Sequence, residues 1–366
     1  MLQLIDAAET AISSDGLKLQ LRTPESANSE SFSVVAEDGG TEVEFTVLKW
    51  NDISKQYYRN GFIAFWLKVV KMYVSFLVNS DWKVVARLPG KIVFIFLIAP
   101  FAIILLFLFF AFISWFLLSG LADVPLEYSI ITSVVVSVFG TYLVLDSAGI
   151  ILFLRGLLFS ADSLVLKSDL LDNHINAFKN RIMNDVRSRD YDEVVVLGFS
   201  HGCKLLVLLM SELYRTGGRE VQDKFKAVFV AQFLPLGLLL KVSTKLREAV
   251  LQLKQLDVTY FNVFNSCDSV CSSKNTLFFP YDDGMKACVV NLDTGYEKYL
   301  KGLNKLKAKL TFHYAHTLYF RSLDMPCPHG MIRILCSPLR LEENPAFSQS
   351  CESGADRDAS RIRTVC

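Results

Sequence analysis

The sequence predicts an α/β fold, a mostly parallel sheet with helices on both faces, interrupted by an inserted pair of transmembrane helices. Three features carry that prediction. From residue 156 onward, apolar strand-like runs alternate with amphipathic helical patterns, the order that builds βαβ units. Residues 92–122 contain no charged side chain, a stretch longer than the roughly 20 apolar residues that cross a hydrocarbon core of about 30 Å. Between a strand-like run at 194–197 and a helical stretch at 203–214 stands Gly198-Phe199-Ser200-His201-Gly202, the layout of a sharp corner that presents a serine.

Taken in order, residues 1–60 hold two segments, 17–21 and 43–49, that alternate apolar with polar at the period of half-buried strands. They are expected to join the main sheet, with a Ser, Glu, Asp and Gly-rich loop between them. Residues 61–90 follow as an amphipathic segment. Its apolar part, 61–78, carries Lys68 and Lys71, with Trp66 inside and Trp50 and Trp82 near its ends. Snorkelling lysines and headgroup-level tryptophans describe a helix lying in the membrane interface, a core helix of the soluble domain being the alternative.

Residues 91–155 read as the transmembrane hairpin. The first span ends at a link holding Asp123, Pro125 and Glu127, and the second runs from Tyr128 past Asp146 to Leu154, before Arg155. A mid-membrane Asp costs on the order of 3 kcal/mol, so Asp146 is expected to face the partner helix or the cytoplasmic headgroups. Lys83, Arg87, Lys91 and Arg155 flank the spans while the link is acidic, which places both large segments in the cytoplasm of an inner-membrane, multi-pass protein. The position in the chain and the lack of a small-residue cleavage site argue against a signal peptide. In that compartment the eight cysteines are expected to stay thiols.

The α/β part spans residues 156–341. Leu171, Ile175, Phe178, Ile182 and Val186 lie on one helical face, with Ser168 or Asp169 as cap. Strand 193–197, the Ser200 corner, a helix ending near Gly217-Gly218, strand 227–233, helix 244–254, strand 258–264 and a Lys-rich helix 296–310 follow. Residues 342–366 are small, polar and mixed in charge, and are expected to be disordered.

A net charge of +1 without a long Lys/Arg run removes the electrostatic footprint of a nucleic-acid binder. Cys267, Cys271, Cys327 and His329 can be drawn as a zinc set, but the tight paired C-x2-C spacing of structural zinc is missing, so neither a metal nor another cofactor is expected.

A serine is a poor nucleophile until a neutral imidazole takes its proton, and a carboxylate must fix that imidazole's tautomer. On α/β scaffolds these groups follow in the order serine, acid, histidine. Asp268, just past strand 258–264, is the leading acid, with Asp282 and Asp283 as alternatives. Of the later histidines, His316 is favoured over His313 and His329 as base. The backbone N–H of His201 is the expected oxyanion donor, its side chain pointing away along the new helix. No His-Gly motif in residues 1–60 offers the usual second donor.

Residues 191–202, 265–270 and His316-Thr317-Leu318-Tyr319 resemble a bacterial membrane-anchored α/β-hydrolase-like family of poorly characterised function. Leu48-Lys49-Trp50-Asn51-Asp52-Ile53 is similar to a Trp-Asp-Asp-like segment that precedes the hairpin in that family. Phe199 and His201 depart from its Gly-His-Ser-x-Gly pattern. The resemblance implies an α/β-hydrolase-like sheet with an inserted hairpin. It supplies no substrate.

The resulting expectation is a membrane-anchored serine hydrolase that cleaves an ester or thioester at the cytoplasmic face, with the lipid bilayer and an ester-type small molecule or lipid as partners. The competing expectation is an inactive hydrolase-fold scaffold that binds a protein partner. A transporter role is a third, for which two helices and one Asp give little support.

Overall fold

The structure, a computed structural model, describes residues 19–22, 31–36, 42–50, 61–86, 90–122, 124–147, 149–165, 169–188, 190–238, 241, 243–268, 281, 283–321, 323–327, 329–337 and 339–347. Strands β1 (Leu19–Arg22), β2 (Ser31–Ala36) and β3 (Glu42–Thr46) pair antiparallel, with Leu21 opposite Val34 and Val34 opposite Val43. They make a separate three-stranded sheet and do not extend the parallel one, as the sequence had led us to expect. Strands so close in the chain can pair locally before any non-local partner is reached. The middle strand arises inside the stretch read as loop, where Phe32 and Val34 alternate with serines. Tyr191, just ahead of the main sheet, donates its hydroxyl to Glu44 at 2.5 Å.

Helix α1 (Phe62–Asn79) is apolar on two sides. Phe65, Val69, Met72 and Phe76 enter the main core, while Ile63, Leu67, Val70, Val74 and Val78 are exposed. After α2 (Trp82–Val85), α3 (Gly90–Trp115) passes into a π-helical turn, Phe116–Leu121, and α4 (Leu126–Ser147) follows. The seam between α3 and α4 is built of small residues. Ser129, Ser133, Ser137 and Thr141 are buried at four-residue spacing, and a Cβ at Gly140 would stand 3.1 Å from the Phe110 ring. Ser114 Oγ satisfies itself on the Phe110 carbonyl at 2.6 Å. Phe101, Leu105, Leu108 and Phe112 face outward. Among the described residues, 100–120, α4 and α1 are each long and apolar enough to cross a membrane, three helices where the sequence reading gave two spans.

The second predicted span ends early. Gly149, at φ 76°, separates α4 from α5 (Ile150–Val165), and α5 turns Ile151, Leu154, Leu157 and Leu158 into the α/β core. Asp146 is exposed in the last turn of α4.

Then come α6 (Asp169–Arg187), β4 (Val194–Phe199), α7 (Gly202–Lys224), β5 (Phe225–Val230), α8 (Leu234–Leu238), α9 (Thr244–Leu253), β6 (Thr259–Phe264) and β7 (Cys288–Asp293). Helices α10 (Gly302–Leu310), α11 (Phe312–His316) and α12 (Met331–Leu335) complete the domain. The four strands are parallel and lie in chain order, β4-β5-β6-β7. Every residue of β5 is buried. Ala227 and Phe229 enter one core with α1, α5 and α7, whereas Val228 and Val230 enter a second with Phe261, Tyr296, Leu318 and Tyr319. Burial on both faces is what a parallel sheet with helices on both sides requires.

Two boundaries differ from expectation. Helix α7 does not stop at Gly217 but kinks at Gly218 (φ 56°, ψ −136°) and resumes to Lys224. Residues 342–347 of the expected disordered tail are packed: the Phe347 ring lies 4.8 Å from Phe261, and Lys226 holds Glu342 at 2.7 Å. Residues 348–366 lie outside the described ones. Cys203, Cys267, Cys327 and Cys336 form no disulfide, as expected, but Cys288 is disulfide-bonded.

Candidate active site

Ser200 stands at the end of β4 with φ 52°, a backbone region that a non-glycine residue occupies only when its surroundings enforce it. The enforcing contacts are visible. Ser200 N–H donates to the Val230 carbonyl at 2.9 Å, and α7 starts two residues later. The two glycines of the corner are not equivalent. A Cβ on Gly198 would lie 3.0 Å from Cys203 Cα, 3.1 Å from the Gly202 carbonyl and 3.1 Å from Leu206 Cβ, whereas one on Gly202 meets nothing within 4 Å.

The loop after β6 brings Asp268 to the same end of the sheet. Asn265 shapes that loop, its carbonyl accepting from Asp268 N–H at 2.8 Å and its side-chain oxygen from Cys267 N–H at 3.3 Å. Asp293, at the end of β7, holds Ser266 through its hydroxyl at 2.8 Å. Asp268 is buried, with its side chain fully removed from the surface. The last residue of α11 is His316. Its Nδ1 lies 2.7 Å from Asp268 Oδ2, and its Nε2 lies 2.8 Å from Ser200 Oγ. In the matching tautomer Nδ1–H donates to the carboxylate and the serine hydroxyl donates to Nε2. Serine, histidine and aspartate so form one hydrogen-bonded chain across loops after β4, β6 and β7.

Phe199 supports this chain. Its ring centroid is 5.1 Å from the His316 ring and 5.1 Å from that of Phe320, so it walls the imidazole in place. The residue that departs from the resembled pattern thus has a packing role here.

His201 does not project along α7 as expected. Its ring meets Phe233 edge to face at 6.1 Å and presses on α5 where Gly156 leaves room, since a Cβ there would lie 2.4 Å from His201 Nε2. Loss of solvent around the ring, then the neighbouring Lys204 and His316, push its pKa well below the usual value, so the imidazole is neutral. Its backbone N–H opens α7 directly after the serine. Among the described residues no strand precedes β4 in the parallel sheet, so the loop from which such folds draw a second oxyanion donor has no counterpart there.

The alternatives are elsewhere. Asp283 is exposed, and its carbonyl accepts from Lys254 at 2.7 Å. The carbonyl of His329 accepts from Tyr296 at 3.1 Å, and burial with Lys298 nearby lowers its imidazole pKa. Asp282, Cys271 and the His313 side chain lie outside what is described. No group of three metal-ligating side chains occurs among the described residues.

Two polar residues beside the serine were missed. Lys204 and Gln232 are 2% and 1% exposed. Lys204 had a signal, because it is a lone charge in a run whose other members, Cys203 and Leu205 to Met210, are all buried and apolar. Comparisons with known protein families, with characterised proteins and with solved structures find no match to this chain.

Proposed function

We propose that the chain is a membrane-anchored serine hydrolase that cleaves an ester or thioester at the cytoplasmic face. The observation that carries this reading is the Ser200–His316–Asp268 chain, with contacts of 2.8 and 2.7 Å. In the first half-reaction Ser200 Oγ attacks the carbonyl carbon and gives its proton to His316 Nε2. His316 then protonates the departing alcohol or thiol, and water releases the acyl group by the reverse proton path. Asp268 holds the tautomer and steadies the imidazolium. The N–H of His201 faces the developing oxyanion, with that of Gly202, next in the opening turn, as the second donor.

In this reading α3 and α4 form the inserted hairpin and α1 lies in the interface. The buried face of α1 from Phe65 to Phe76 runs along the α/β core for roughly 16 Å at 1.5 Å per residue, so it cannot also be sunk across the bilayer. Its outer apolar face is left for lipid. The scaffold alternative rests on the parallel sheet having, among the described residues, no strand ahead of β4. Turnover of p-nitrophenyl esters by full-length protein in neutral detergent separates the two: the hydrolase reading expects activity that Ser200→Ala abolishes, and the scaffold reading expects none.

A further inference from the structure

The C-terminal edge of the sheet carries a second tight turn. Ala231, following β5, repeats the geometry of Ser200: its φ is 51°, and its N–H donates to the Val263 carbonyl at 2.9 Å. Gln232 follows the second turn as His201 follows the first. Lys204 stands one helical turn after Ser200, with its ammonium 5.7 Å from the Phe233 ring centroid, the ring that also receives His201.

These two side chains share a condition. Lys204 Nζ and Gln232 Nε2 are both fully shielded and, among the described residues, have no acceptor within hydrogen-bond reach. Gln232 Oε1 is occupied by the Leu234 N–H at 3.0 Å, which fixes which end of the amide is left. A shielded donor without an acceptor is costly and an unpaired ammonium more so, and each would be satisfied by an acceptor on a ligand. Lys204 lies four residues after the nucleophile, and Gln232 two residues after Val230, whose carbonyl accepts from Ser200 N–H, at the sheet edge where open α/β sheets bind ligands. Both are donors, and the one charge is positive, so the complementary group is an oxyanion.

We propose that Lys204 Nζ and Gln232 Nε2 form an anion subsite beside Ser200 that takes a carboxylate or phosphate group of the substrate. This rests on the hydrolase reading for the word substrate alone, since an anion would bind with or without catalysis. The cleaved ester is then one carried by an anionic molecule, and a neutral ester fills the site incompletely.

The test uses full-length protein in neutral detergent at pH 6.5 and reads the melting temperature against added sodium hexanoate or sodium phosphate, with sodium chloride at equal ionic strength as reference. Wild type and Ser200→Ala should both gain about 5–10 °C at a hundredfold excess over Kd. A gain with hexanoate marks a carboxylate site and a gain with phosphate a phosphate site. Lys204→Met should abolish the gain. Gln232→Glu keeps the acceptor for Leu234 N–H and sets a carboxylate beside the ammonium, so it should abolish the gain too. No gain beyond sodium chloride, or an undiminished gain in both variants, overturns the subsite. Ester turnover is not read in this assay, so an inactive serine and an absent subsite give different results.

Discussion

Replacing each glycine of the Gly-x-Ser-x-Gly corner by alanine should give opposite outcomes. At Gly198 the new methyl meets backbone at 3.0 and 3.1 Å and Leu206 Cβ at 3.1 Å. Neither backbone contact can swing aside, because Cys203 N–H is bonded to the Ser200 carbonyl at 3.1 Å and so fixes the start of α7 against β4. Overpacking of this kind costs about 1–3 kcal/mol. At about 2–4 °C per kcal/mol for a domain of this size, Gly198→Ala should lower the melting temperature by roughly 2–12 °C. Any relief must come from α7 backing away and carrying Ser200 off its 2.8 Å contact with His316, so ester turnover should fall more than stability does. Gly202→Ala meets open space, gains up to about 1 kcal/mol of helix propensity and should leave both properties near wild type. Thermal unfolding and ester turnover on the two purified variants settle the matter. Equal losses in both, or a silent Gly198→Ala, would refute the claim that close helix approach, and not backbone freedom at both glycines, is what the motif encodes.

Asp268→Asn should keep the fold but favour the wrong imidazole tautomer, lowering ester kcat by about 10³–10⁴, and unchanged turnover would remove Asp268 from the chain. Burial pushes the Lys204 pKa down to about 7, against about 10.4 unfolded. Between those values the unfolded chain binds more protons, so stability should rise with pH from about 7 to about 10, and Lys204→Met should flatten that rise and stabilise the protein by up to about 5 kcal/mol at and below pH 7. Melting curves across that range check the slope, and a flat wild-type profile contradicts it. Reporter fusions at Val124 should behave as external and fusions after Cys366 as internal, a C-terminus outside the cell overturning the topology. Lys68→Glu with Lys71→Glu should weaken docking on anionic lipid by about 1 kcal/mol per charge and slow turnover of a bilayer ester but not of a soluble one. Equal loss on both substrates would make α1 a purely structural helix.

The site was more legible than the frame around it. Ser200 and Asp268 could be found because each follows a strand whose apolar run is plain in the sequence, and His316 because it comes after the Lys-rich helix, where chain order expects the base. The N-terminal strands were misassigned because alternation shows that a strand is half-buried and not which sheet buries it, and Ser31–Ala36 hid its Phe and Val among serines. The limit of the second span was missed for a similar reason. Ile151, Leu154, Leu157 and Leu158 are as apolar as a membrane helix, and only two residues separate the two helices. Contacts remote in sequence were not legible at all. Gly156 making room for His201, and Phe199 bracing His316, join residues 45 and 117 positions apart.

The most direct test of the central claim is covalent labelling of Ser200 by a fluorophosphonate, since the phosphorus is attacked only by a serine whose proton a neighbouring base can take. Full-length protein in neutral detergent is treated with the probe and the modified peptide is mapped by mass spectrometry. The account predicts a single adduct on Ser200, lost in Ser200→Ala and strongly slowed in His316→Ala. An unlabelled wild-type protein that is folded by its melting transition, or an adduct on another serine, would contradict it.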